Sequence, residues 1–268
     1  MSIFRLIVYD VRCSFRQNRV KWLFALAIQL FLCVRTFSEM SFRGGPWDLL
    51  SALWPVMSGA REYELSQDSS FQLPAYWFSF HAYLLFLTGF YPVNELYLGN
   101  GQALVRTYAR GKWLMSKIIS AVLNISVYYG SFLAFGMIGN LLSGGEWIPR
   151  NGIIPFAGVP IWDKSLWELC AAFVVLPWLV SVSLCTVQIV LSIFADPVIA
   201  FMVNIGGLAA SVFWRNPFLP GNYAMLYRQD WVCSRPGISL AAGVALCIGL
   251  TAAAAALGAI FFQQKDIL

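Results

Sequence analysis

The chain has 268 residues, of which 59% are hydrophobic, 16% aromatic and only 12% charged, with a net charge of +5 and a mean hydropathy of +0.67. A soluble domain carries about 25% charged residues. The composition therefore excludes a disordered chain, argues against an ordinary cytosolic enzyme, and points to lipid as the main solvent.

The first 20 residues predict a helix. Ile3, Phe4, Ile7, Val8, Val11 and Phe15 recur at helical spacing on one face, and Arg5, Arg12, Arg16 and Arg19 on another. This is the pattern of a basic amphipathic helix lying in the membrane interface. Uncharged runs follow at 69–94, 118–145, 169–195, 197–214 and 236–264, each long enough to cross a bilayer. A shorter run at 22–34 becomes long enough if Arg35 extends to the headgroups. The expected architecture is an all-α integral membrane protein forming a single transmembrane domain over 1–268. Its spans are expected at about 22–38, 75–93, 117–142, 167–194, 197–214 and 238–262. A cleavable signal peptide competes for the first segment, but no small-x-small site follows Val34.

Basic residues set the expected orientation. Arg5, Arg12, Arg16, Arg19 and Lys21 precede the first span, Arg106, Arg110, Lys112 and Lys117 lie between the second and third, and Lys265 follows the sixth. These segments belong on the cytoplasmic side, with both termini inside a multi-pass cell-membrane protein. Asp196 and Pro197 alone join the fourth and fifth helices. An N-capping Asp followed by Pro at the first helical position predicts a very tight turn there.

The loop at 39–74 is broken by Gly44, Gly45 and Pro46, after which Trp47, Leu50, Leu53 and Trp54 recur at helical spacing. A short amphipathic helix on the outer leaflet is expected, with its Trp residues at headgroup depth. A similar Gly144-Gly145-Glu146-Trp147 follows the third span. The aromatic, Pro-rich stretch at 213–235 predicts an outer loop re-entering as short helical pieces between helices 5 and 6.

No catalytic motif emerges. His81 is the single histidine and sits mid-span, the six cysteines form no CxxC, and no phosphate-cradling GxxxxGK[ST] is present. No cofactor or metal is expected on this chain, and none of its features suits nucleic acid. Arg35 and Glu39, four apart, are placed to pair at the outer end of the first span. The most informative polar stretch runs from Asn94 to Lys117. It carries Leu98, Leu104, Val105 and Tyr108 beside Arg106, Arg110 and Lys112, with Gly99 and Gly111 as expected breaks around a helix of about ten residues. A short helix held between two spans suits docking into a groove on a partner.

With these residues in view, the chain resembles the permease subunit of a type-2 ABC exporter. The resemblance rests on the amphipathic helix before six spans, on the segment from Leu104 to Lys117 with its Arg-x-x-x-Arg leading to Trp113 and Lys117, and on the ending Phe261 to Leu268 with Lys265-Asp266-Ile267-Leu268. It departs in the 39–74 loop, which is longer than in the smallest permeases. The resemblance implies a second permease copy, identical or not, and separate ATPase subunits that hold ATP and Mg. It makes Glu95, Gln102, Arg106, Arg110, Lys112 and Asp196 the ATPase-docking residues. Tyr76, Trp77, Phe80, Tyr83 and Phe201, on helices 2 and 5, are expected to line the substrate pathway between protomers. The alternative class is an intramembrane enzyme or a membrane scaffold.

Overall fold

The computed structural model describes residues 3–42, 48–61, 73–92, 110–149, 151–154, 158–233 and 237–264. Helix dominates them. The order is α1 (Ile3–Gln17), α2 (Arg19–Phe42), α3 (Leu49–Met57), α4 (Ala75–Gly89), α5 (Arg110–Leu142), a two-stranded antiparallel hairpin of β1 (Ile153–Ile154) and β2 (Val159–Pro160), α6 (Leu166–Phe194), α7 (Pro197–Phe213) and α8 (Leu240–Gln264). Two 3₁₀ turns, Pro220–Ala224 and Leu226–Arg228, lie between α7 and α8.

Four helices, α2, α5, α6 and α8, are long and apolar enough to cross a membrane. The apolar α7 has 17 residues and α4 has 15, which rise about 25 and 22 Å, short of a hydrocarbon core of about 30 Å. Both pack among the longer helices: α7 against α4 and α6, and α4 against α2, α5 and α6. Large apolar side chains stay exposed along the bundle, including Leu23, Phe24 and Phe31 on α2, Leu141 and Leu142 on α5, Met202 and Val203 on α7, and Ile248 and Leu257 on α8. Such continuous apolar cover suits lipid and not water.

Polar side chains join the helices inside the bundle, where each buried donor needs a partner. Gln29 of α2 donates to the carbonyl of Tyr128 at 2.9 Å and accepts from Ser131 at 2.7 Å, both on α5. The Tyr128 hydroxyl donates to the carbonyl of Phe80 on α4. Asn204 of α7 donates to the carbonyl of Leu184 on α6. That bond reaches back across the joint at Ala195 and Asp196, so α6 and α7 fold into an antiparallel hairpin. The Asp196 carboxylate accepts from the Val198 amide at 2.8 Å and Pro197 opens the helix, which is the tight turn the sequence predicts.

Two prolines shape the helices. Pro177 has no N–H for the carbonyl of Phe173, and α6 adapts with a π-helical turn over Ala171–Val175, where the Leu176 amide reaches the Ala171 carbonyl. Pro92 likewise offers no N–H to the carbonyl of Thr88, and α4 ends at Gly89.

Two expectations need correction. The helix at Leu49–Met57 exists, but it does not present Trp54 on an open face. Trp54 is 2% exposed, with its ring 6.0 Å from Phe173 and edge-on to Tyr227 at 5.3 Å. The helical spacing was real, but residues on both of its faces are covered by protein. Gly111 does not break the chain: α5 already runs from Arg110, seven residues before the expected start of the span. The first helix, α1, meets the bundle through polar Asp10 and Ser14, both buried, and through half-buried Phe15, whose ring stacks on Trp22 at 4.9 Å.

Candidate functional site

The two ends of the bundle differ. At one end lie α1, the starts of α2, α5 and α7, and the ends of α4, α6 and α8. The α1 end is pinned by ionic chemistry. The Asp10 carboxylate accepts from Lys117 Nζ at 2.7 Å and from Ser116 Oγ at 2.5 Å, with both charged side chains fully buried. The Lys117 ammonium lies 4.7 Å from the Tyr91 ring and 5.3 Å from that of Trp113. One turn on, Asn124 donates to Ser14 Oγ at 3.1 Å. In the sequence Lys117 stands as an inner-side cation and as the end of the segment from Leu104, with no partner assigned. The signal for its partner was present, because Asp10 is the single acidic residue in the first 38 positions.

Arg110 ties the start of α5 to the end of α8. Its Nη1 donates to the carbonyls of Phe262 at 3.1 Å and Gln263 at 3.0 Å, and Trp113 packs on Phe262 at 5.4 Å. An arginine on the last carbonyls of a helix answers both their missing hydrogen bonds and the negative end of its dipole. Lys112 and Asp196 are exposed at the same end. Glu95, Gln102 and Arg106 lie outside the described residues, as does most of the expected docking helix.

The expected pathway aromatics divide. Trp77 and Phe80 are fully buried in the core, with Trp77 Nε1 donating to the carbonyl of Ala224 at 3.0 Å. Tyr76, Tyr83 and Phe201 are half-buried. The Tyr76 hydroxyl donates to Glu39 at 3.0 Å, and Glu39 pairs with Arg35 at 3.2 Å as the spacing predicts. The Tyr83 hydroxyl donates to the carbonyl of Lys21 at 2.6 Å. Phe201 lies 5.7 Å from Phe90 and 6.3 Å from Phe86.

The opposite end is built on Arg228, which is 1% exposed. Its guanidinium donates to the carbonyls of Ala60 at 3.0 Å and Val212 at 2.8 Å, and to Asn222 Oδ1 at 3.1 Å. One side chain thereby fastens the segment after α3, the end of α7 and the 3₁₀ turns. The sequence showed Arg228 only as one cation of an outer loop. The Leu49 amide donates to the carbonyl of Glu146 at 3.0 Å, so the start of α3 meets the loop after α5. Gly144, with φ of +65°, reverses the chain after α5 in a conformation that favours glycine. Burial raises the Asp48 carboxyl above its ordinary 3.8. Donors from Ser51 oppose the shift and the charge of Glu146 adds to it.

His81 is part of a fully buried line across α4, α5 and α6. Its Nδ1 faces the Trp77 carbonyl at 2.9 Å, its Nε2 is 3.4 Å from the Tyr129 hydroxyl, and that hydroxyl is 2.9 Å from Ser181 Oγ. Ser181 donates to the Pro177 carbonyl and has Tyr129 between itself and the imidazole. A hydrolytic pair needs nucleophile and base in direct contact, so this line is helix glue. Among the described residues no group of three or more His, Cys, Asp or Glu is placed to hold a metal.

No family model, curated protein or solved structure matches the chain. Its function is therefore argued from its own residues.

Proposed function

We infer that this chain is the membrane-spanning permease subunit of an ATP-driven exporter of the type-2 ABC class, acting with a second permease copy and separate ATPase subunits. In this reading α2, α4, α5, α6, α7 and α8 are its six crossings, and α1 lies in the cytoplasmic interface of the cell membrane. The 3₁₀ turns between α7 and α8 form the re-entrant outer region. ATP and Mg reside on the partner chain. Residues Glu95, Gln102, Arg106, Arg110, Lys112 and Asp196 face that partner, and Tyr76, Tyr83 and Phe201 border the pathway.

One observation carries the reading. The segment between Pro92 and Arg110 joins the end of α4 to the start of α5, and α5 is locked to α8 through Arg110 and to α1 through Lys117, Ser116 and Asn124. A displacement of that segment therefore moves α5 together with α1 and α8. This is what a docking segment must do if ATP binding elsewhere is to change the spans, since a partner shifts an equilibrium only through contacts that differ between two states. The roughly 50 Å rise of the 33-residue α5 lets it project beyond the hydrocarbon as the lever.

The test uses Arg106, a cation of the proposed docking segment. Arg106→Glu should leave membrane insertion and thermal melting unchanged and abolish co-purification of an ATPase chain. Unchanged capture of that chain by the variant would remove the docking assignment.

A further inference from the structure

We propose that the seam of α2, α4 and α7 at the α1 end is a binding site for the phosphate headgroup of an anionic phospholipid, with Lys21 as its recognition group.

Lys21 is half-buried at the start of α2. Its ammonium lies 4.5 Å from the centre of the Phe86 ring and 5.4 Å from that of Phe90. Among the described residues it makes no ion pair, unlike Lys117, which has Asp10. The rings around it are continuous: Tyr83 to Phe86 at 5.9 Å, Phe86 to Phe90 at 5.6 Å, and Phe90 to Phe201 at 5.7 Å. The Tyr83 hydroxyl bonds the Lys21 carbonyl, which fixes α2 against α4 and keeps the ammonium over the rings. Ring faces stabilise a cation but leave its charge uncompensated, so an anion is still favoured there.

The surroundings name the anion's carrier. Val20 and Phe24 on α2, and Val198 and Met202 on α7, are exposed and apolar on either side of the seam. Phe86 itself is 38% exposed. A soluble anion gains nothing from such walls, whereas acyl chains below a phosphate cover them. Arg16 and Arg19, also exposed, extend the positive field at the same end. A lysine at the end of a span, with its stem along apolar surface and its head toward the interface, is placed at phosphate depth.

The experiment takes the purified full chain in detergent and titrates phosphatidylglycerol or phosphatidylcholine, reading retained lipid by native mass spectrometry and stability by thermal melting. It needs no ATPase partner, so its outcome is separable from the transporter reading. Wild type is expected to retain phosphatidylglycerol and to melt higher with it. Lys21→Gln should weaken that retention about tenfold, and Lys21→Arg should keep it, which also controls for folding. Arg12→Gln, on the exposed stripe of α1, should leave the Lys21-dependent component intact. Equal retention by Lys21→Gln overturns the proposal. So does an equal loss from Arg12→Gln, which would reduce the effect to a general field. A melting shift produced by inorganic phosphate alone also overturns it, because the site would then read a soluble anion.

Discussion

The buried Asp10–Lys117 pair is the sharpest electrostatic commitment in the molecule. Removing one partner of such a pair leaves an uncompensated charge and costs about 3–5 kcal/mol, while replacing both with apolar residues of similar volume is often neutral. Asp10→Asn should therefore lower the melting temperature strongly, and Asp10→Leu with Lys117→Met should recover most of the loss. Asp48 makes a different prediction. Its carboxyl is raised above its ordinary value, chiefly by burial, so the folded state binds its proton more tightly than the unfolded chain does. The stabilisation from that proton is complete below about pH 3.8 and is lost as pH rises through the folded value. Asp48→Asn keeps an N-cap acceptor for the Ser51 amide and removes the charge. It should flatten the pH dependence of melting above pH 3.8 and leave stability at neutral pH equal or higher. Asp10 was visible in the sequence as a lone acid among cations. Its partner was not, because 107 positions separate it from Lys117 and only packing brings them together.

At the scale of elements, the end of α4 crosses α6 closely at Gly89. A Cβ on Gly89 would meet the Gln188 side-chain amide at 1.9 Å, and neither amide atom of Gln188 finds a hydrogen-bond partner among the described residues. Gly89→Ala should destabilise by about 1–3 kcal/mol through overpacking. Gln188→Met removes an unsatisfied buried amide and should melt at or above wild type. The reverse order of the two melting temperatures would contradict this packing. The α6–α7 turn was legible because Asp and Pro act locally on the first helical turn. The burial of α3 was not, since the spacing of Leu50, Leu53 and Trp54 defines an apolar face but says nothing of what covers the other side. The start of α5 was misjudged at Gly111, where a glycine cost of about 1 kcal/mol is outweighed by Arg110 on the α8 carbonyls and Trp113 against Phe262.

For the molecule as a whole, low charge and long apolar runs made the all-α bundle readable before any coordinates. The candidate site was readable only in part. The sequence located its cations and aromatics, yet it could not separate Trp77 and Phe80, which build the core, from Tyr83 and Phe201, which stay half-exposed beside Lys21. Nor could it show Arg110 as a helix tie. The ionic locks at the α1 end and Arg228 at the other make two braced ends joined by apolar helices, an arrangement suited to transmitting displacement. The decisive measurement is purification of the tagged chain from its native membrane in mild detergent, with the captured proteins identified and ATP hydrolysis assayed. The account predicts a co-purifying chain with a phosphate-cradling nucleotide motif and vanadate-sensitive hydrolysis, both lost with Arg106→Glu. Recovery of the intact chain with no nucleotide-binding partner would contradict it.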